Sequence, residues 1–263
     1  MSDVLPSNLR AYGAPPHAVA VVHGGPGAAG EMAVVAEHLS MKRGVLEPLQ
    51  TASTVAGQVD ELVQTLTEHA HLPVTLVGHS WGAWLVAMGA AQWPALVSKL
   101  ILVGSGPFEA RYAAEIMPER LRRLSDADRV EVEELFVRLT DDPGADDGAF
   151  ARLGVLLGSA DAFDPLPRVD VPGETQPEIY ASVWPEAAEL RRSGRLLDLA
   201  SKISCPVLAI HGAYDPHPAA GVRDPLTRLL KDFRFVLLPE CGHTPWLERR
   251  ALDEFYHLLE DEF

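Results

Sequence analysis

Positive charge is scarce in this 263-residue chain: 22 Lys and Arg stand against 37 Asp and Glu, for a formal net charge of −15 and a sequence pI of about 5.0. Lysine occurs only at Lys42, Lys99, Lys202 and Lys231. Nucleic-acid affinity comes chiefly from phosphate contacts made by clustered Lys and Arg, so this balance argues against a nucleic-acid partner. The pairs Arg122-Arg123 and Arg191-Arg192 read as solvated helix faces. Long apolar runs are missing as well. No stretch approaches the ~20 residues of a membrane-spanning helix, which argues against a membrane partner. The segment from Met1 to Pro6 lacks the basic region and apolar run of a secretory signal, and a cytoplasmic location is the expectation. Cysteine is nearly absent too. Cys205 precedes one predicted strand and Cys241 follows the next, which sets them toward opposite edges of a parallel sheet, beyond the ~7 Å Cα limit for a disulfide. Each is expected as a free thiol. With no C-x-x-C pair and no H-E-x-x-H spacing, neither a metal nor a cofactor is implied.

What the chain does have is a regular alternation of short apolar runs and longer helical patterns, the signature of a sheet built from β-α-β units. Predicted strands cover 19–22, 44–46, 74–77, 98–103, 206–210 and 233–238, and the pattern predicts helices over 31–39, 55–70, 83–92, 219–230 and 245–260. Ser53 or Thr54 stands where it can cap the 55–70 helix. Between Phe108 and Leu197 the alternation stops. That stretch holds a charged helical run, 120–139, and loops rich in Pro, Gly and Asp at 141–148 and 161–173. Unstructured connections of such length are uncommon in compact domains, so the reading is a helical cap, 107–197, inserted into a core made of 1–106 and 198–263.

The chemistry gathers at the ends of the strands. Gly78-His79-Ser80-Trp81-Gly82 lies between a strand and a helix, the setting of a nucleophile elbow, where the glycines let two backbones pass closely and the serine is raised above the sheet edge. Past the insertion, Asp215 follows one strand and His243 follows the next. Parallel strands share their C-terminal edge, so Ser80, Asp215 and His243 can meet there despite their separation in sequence. A serine hydroxyl needs a base to take its proton and return it to the leaving group. His243 suits that exchange, and Asp215 would orient its ring. The charge on the attacked carbonyl oxygen needs preset donors, for which the Trp81 amide and the Gly25 amide in His23-Gly24-Gly25-Pro26-Gly27 are the candidates. Glu109 is the competing acid. His79, His211 and His217 are neighbours of the site with no assigned step.

From these motifs the chain resembles the α/β-hydrolase family over nearly its whole length: an α/β fold with a mostly parallel sheet flanked by helices and an inserted helical cap. H-G-G-P-G with a G-x-S-W-G elbow is similar to the prolyl iminopeptidase-like branch, whose members remove an N-terminal proline. The resemblance implies substrate contacts from His23 and Gly24 in the turn and from Trp184, Glu178 and Glu186 in the cap, the carboxylates reading a free amine and the aromatic ring holding the proline. Two departures stand against the peptidase. The D-Q-R-G-type segment of that branch is replaced by Gly44-Val45-Leu46-Glu47-Pro48-Leu49-Gln50-Thr51, and the leading hairpin has only Ser7 to Gly13 to draw on. The expected function is therefore a serine hydrolase that cleaves a small ester or amide, with prolyl iminopeptidase as the alternative and a silent-site binding protein or a lyase on the same fold behind it. A small-molecule ester, amide or short peptide is the expected partner. Oligomeric state is left open.

Overall fold

The computed structural model describes residues 5–141, 147–167 and 174–263. Parts of the loops read at 141–148 and 161–173 lie outside the described residues. The strands are β1 (Leu9–Tyr12), β2 (His17–Val22), β3 (Ala28–Ala29), β4 (Gly44–Pro48), β5 (Val74–His79), β6 (Val97–Val103), β7 (Glu174–Thr175), β8 (Val207–Gly212) and β9 (Phe233–Leu238). Seven of them form one sheet in the order β1-β4-β2-β5-β6-β8-β9. Only β1 runs antiparallel in this sheet, along β4 at its edge. The registers Val22↔Gly78, His79↔Val103, Val103↔Ile210 and Gly212↔Leu238 bring the C-terminal ends of five parallel strands to one edge.

Alternation along each strand divides the core between the sheet's two faces. On one face Ala20, Val22, Leu76, Leu100 and Leu102 pack with α2 (Val55–His69) and α3 (Trp81–Gln92). On the other, Val19, Val21, Val77, Ile101 and Val103 pack with α1 (Ala33–Ser40) and with Phe255 and Leu259 of the C-terminal helix, Leu252–Glu260. Small residues let α3 lie close to the sheet, and all but one of its residues are buried. Thr54 is the residue that caps α2, its hydroxyl accepting the Gly57 N–H at 3.0 Å. No helix among the described residues is long and apolar enough to cross a membrane. Both thiols are free, Cys241 buried and Cys205 partly so.

The inserted segment is mainly helical: α4 (Ala110–Ala113), α5 (Ile116–Arg123), α6 (Asp126–Asp141), α7 (Asp147–Asp161), α8 (Pro177–Arg192) and α9 (Arg195–Ala200). The charged helical stretch read over 120–139 is made of the end of α5 and most of α6, separated where Ser125 accepts the Asp128 N–H at 3.1 Å and starts α6 afresh. Leu124, Val132, Leu135, Leu153 and Leu156 give α6, α7 and the turn before them a small core of their own. α8 and α9 instead bury Val183, Ala187, Leu196 and Ala200 in the main core. The boundary read at 197/198 falls inside α9. A short strand was also missed: β7 pairs with β3, and the Gln176 N–H donates to the Gly27 carbonyl at 2.8 Å. The last two elements of the core are α10 (Ala220–Leu229) and α11 (Leu252–Glu260). α11 starts seven residues later than expected, since Pro245–Leu247 forms a 3-10 turn and Glu248 is drawn inward, its carboxylate accepting the Gly242, Phe163 and Asp164 amides.

Candidate active site

β5 ends at His79, and Ser80 follows with φ 52° and ψ −114°, immediately before the first residue of α3. A positive φ costs a residue with a side chain roughly 1–3 kcal/mol and persists only where the surroundings enforce it. Here the enforcement is visible. A Cβ at Gly78 would collide with the Gly82 carbonyl, and one at Gly82 with the Val22 and His23 carbonyls. The serine amide is fixed by donation to the Val103 carbonyl on the neighbouring strand, at 3.0 Å.

His243 and Asp215 meet on the same edge. His243 Nδ1 lies 2.7 Å from Asp215 Oδ2, in the loops that follow β9 and β8. Asp215 is wholly enclosed, and its other oxygen accepts the His217 main-chain N–H at 2.9 Å and His217 Nδ1 at 2.8 Å. The His217 and His243 rings stack with centroids 4.4 Å apart. His211 holds this loop from below, its Nε2 2.7 Å from the His217 carbonyl oxygen. Burial raises the Asp215 pKa, but His243, His217 and His211 outweigh it and hold the carboxyl well below its usual range. For His243 burial works downward, the charge and hydrogen bond of Asp215 work upward, and the net shift is up from 6.5. His217 is carried down to about 4, burial prevailing over Asp215. Glu109, the competing acid, is engaged by Arg111 and Arg228 instead.

The turn after β2 lies against the serine. A Cβ on Gly24 would stand 3.0 Å from both Ser80 Cβ and Glu31 Oε2, and Gly25 is exposed with φ 106°. Neither the Gly25 nor the Trp81 amide takes part in the turn, loop and cap hydrogen bonds of the described residues. Trp81 is the first residue of α3, where helix amides have no intrahelical partner and the helix dipole is positive. Glu31 braces this arrangement, accepting the Gly24 N–H and binding His79 Nδ1, both at 2.9 Å. His79 Nε2 reaches the His243 carbonyl at 3.1 Å, which ties the elbow to the histidine loop. Burial pushes the Glu31 pKa up, but His79 and the Gly24 N–H bring it down to about 2.

His23 is a different case from the one expected. Its ring has no exposed surface, with Nδ1 3.0 Å from the Gly24 carbonyl and Nε2 accepting the Gln50 N–H at 3.1 Å. It shapes the turn and has no face left for a substrate. Among the cap residues, Trp184 lies in a stack that runs from Tyr180 through Trp184 to Trp84 of α3, with centroid spacings of 5.9 and 6.1 Å. Glu186 is committed elsewhere, its carboxylate accepting the Val55 N–H at the start of α2 at 2.9 Å. Glu178 is exposed in the first turn of α8. One pair had no signal in the sequence: Arg120 of α5 grips Asp161 of α7 through two hydrogen bonds of 2.7 and 2.6 Å. The Asp161 carbonyl accepts the His243 N–H at 2.9 Å, so the pair couples the cap to the histidine loop. Only the fold brings these residues together.

A strained serine at an elbow, a histidine bound to a buried aspartate on the same sheet edge, and free amides beside the serine are the parts of a hydrolase of the serine type. Residues 7–257 match the profile of the Alpha/beta hydrolase family, and the chain belongs to it. It is a hydrolase on that fold. The chain is 26% identical over 202 residues to a pimeloyl-[acyl-carrier protein] methyl ester esterase of Nitrosomonas europaea, covering 72% of this chain and 71% of the relative. It is 28% identical over 211 residues to the protein of the same name from Chromobacterium violaceum, covering 74% of each. In structure it is similar to a proline iminopeptidase from Mycobacterium smegmatis, with a TM-score of 0.62 at 19% identity over 97% of this chain and 93% of that one.

Proposed function

We propose that the protein is a serine hydrolase that cleaves a small ester through an acyl-enzyme on Ser80, with the segment 107–197 as the cap over its site. The observation that carries this reading is the 2.7 Å bond between His243 Nδ1 and the enclosed Asp215 carboxylate on the edge where Ser80 is held at positive φ. With the proton on Nδ1 donated to Asp215, His243 Nε2 is left as an acceptor. It takes the Ser80 proton as the oxygen attacks the carbonyl carbon, and gives it to the departing alcohol. The amides of Gly25 and Trp81 stabilise the oxyanion. Water, activated by the same nitrogen, then releases the acid and restores Ser80.

The ester is preferred to the amide on two grounds. Both curated relatives described above carry esterase names. The iminopeptidase alternative needs cap carboxylates for the substrate's amine; Glu186 is already bound to the start of α2 and Glu189, a third glutamate of the same helix, is paired with Arg192, which leaves Glu178. The test is hydrolysis of a short-chain p-nitrophenyl ester beside prolyl p-nitroanilide, each with the Ser80→Ala variant. The expected result is ester cleavage that falls by at least about a thousand-fold in Ser80→Ala. Prolyl cleavage rivalling the ester rate and lost in the same variant would install the peptidase instead, and an unchanged rate in Ser80→Ala would remove the mechanism.

A further inference from the structure

We propose that Asp215, His217 and His243 form a binding site for one divalent transition-metal ion of the Zn2+ class, and that its occupation switches off the base of the hydrolase. One donor atom from each of the three residues lies within 4.8 Å of the others. The two imidazoles are stacked, with ring planes 25° apart, and both direct Nδ1 at the same carboxylate, at 2.7 and 2.8 Å. A tetrahedral zinc ion with bonds of about 2.0–2.1 Å holds its ligand atoms about 3.3 Å apart. The two contacts are to different carboxylate oxygens, Oδ2 for His243 and Oδ1 for His217, so admitting the ion requires these distances to open to about 3.3 Å and the remaining donor separation, within 4.8 Å, to close toward it. Two imidazoles and a carboxylate make a donor set for zinc and its neighbours and not for Mg2+ or Ca2+, which take oxygen.

His217 is the residue that makes the difference. Asp215 already receives the His217 main-chain N–H at 2.9 Å, so orienting the catalytic histidine gives no reason for a second ring on the same carboxylate. His211 Nε2 lies 2.7 Å from the His217 carbonyl and 3.5 Å from Asp215 Oδ2, an outer contact of the kind that keeps metal ligands in place. The two histidine side chains remain 12% and 11% exposed, so the site is not sealed from solvent. Sequence spacing gives no hint of it, since His243 arrives from a separate loop.

The chemistry of the switch is a tautomer change. In the metal-free state each Nδ1 carries a proton donated to Asp215. When the ion takes the two Nδ1 lone pairs and a carboxylate oxygen, each ring moves its proton from Nδ1 to Nε2, and no net proton is released. His243 Nε2 then carries hydrogen and cannot accept the Ser80 proton. The inhibition rests on the proposed role of His243, whereas the binding does not.

Calorimetric titration of metal-free protein with Zn2+ separates the two. Wild type and Ser80→Ala should each bind one ion in the micromolar range, and His217→Asn and His217→Phe should bind at least about tenfold more weakly. The phenylalanine keeps a ring on the His243 face while deleting both nitrogens, which guards against loss of fold. In the ester assay Zn2+ should inhibit wild type, with its potency reduced by a similar factor in His217→Phe. Failure to bind one equivalent below about 100 μM, or equal affinity in both His217 variants, would overturn the site. Binding that depends on His217 but leaves ester turnover untouched would support the site, overturn the switch and count against His243 as the base.

Discussion

The edge of the sheet and the cap above it are built on different terms. At the edge, Asp215, His23, His79 and His211 are almost fully enclosed, and each has a partner that fixes its direction. In the cap, the ion pairs Arg122–Glu119 and Arg152–Glu131 stand at the surface, with arginine side chains 73% and 46% exposed. Exposed pairs of this kind are screened by solvent and contribute little, and the cap's own apolar cluster is small. The buried pair Arg120–Asp161 is one of the places where the two regions are joined. The proposed catalytic groups thus sit in tightly partnered loops at the strand ends, while the inserted segment is held largely by surface contacts.

Asp215→Asn should break the edge most severely, with kcat falling by about four orders of magnitude while the fold persists, because an amide no longer holds the imidazole in the required tautomer. Steady-state kinetics beside circular dichroism would check both halves of that statement. Arg120→Met should come next. Removing one partner of a buried pair destabilises by about 3–5 kcal/mol where the burial is complete, and by less here, where the side chains keep 16% and 10% of their surface. A fall in unfolding midpoint together with slower turnover would show that the joint reaches the histidine loop. Replacing Arg122 by Gln should do neither.

The pH dependence offers a finer cut. In the proposed mechanism His243 must be neutral to act, and its pKa is raised, so activity should fall as pH drops through a midpoint above 6.5. A profile flat through pH 6 with the fold intact would contradict the role of this residue. Glu31 affects stability at lower pH. Its carboxyl is depressed from 4.5 to about 2, so the stability it gives is present above about 4.5 and is lost as pH falls toward 2, and Glu31→Gln should flatten acid unfolding in that window. Smallest of all, Thr54→Ala removes a helix cap far from the site and should cost about 1 kcal/mol with no change in kcat.

The same contrast governs what could be read from the sequence. Strand positions 233–238 and the limits of α2 were legible within a residue, because alternation and the Thr54 cap are local signals. Ser80, Asp215 and His243 were legible because each follows a strand, and a parallel sheet brings those positions to one edge. The turn was visible at His23, yet nothing local indicated that Gln50 encloses that ring. Arg120, Asp161 and Glu248 were invisible for a related reason. Their partners lie on other loops, and a buried charge has no periodicity. In the cap, a carboxylate at 186 looked available to a substrate until the helix start at Val55 was found beside it.

The measurement that tests the central claim most directly is reaction with a serine-directed fluorophosphonate, followed by mass spectrometry of the digested protein. The account predicts one adduct per chain, on the peptide containing Ser80, with labelling slowed sharply in Asp215→Asn. Labelling absent from Ser80 while the protein remains folded would contradict it.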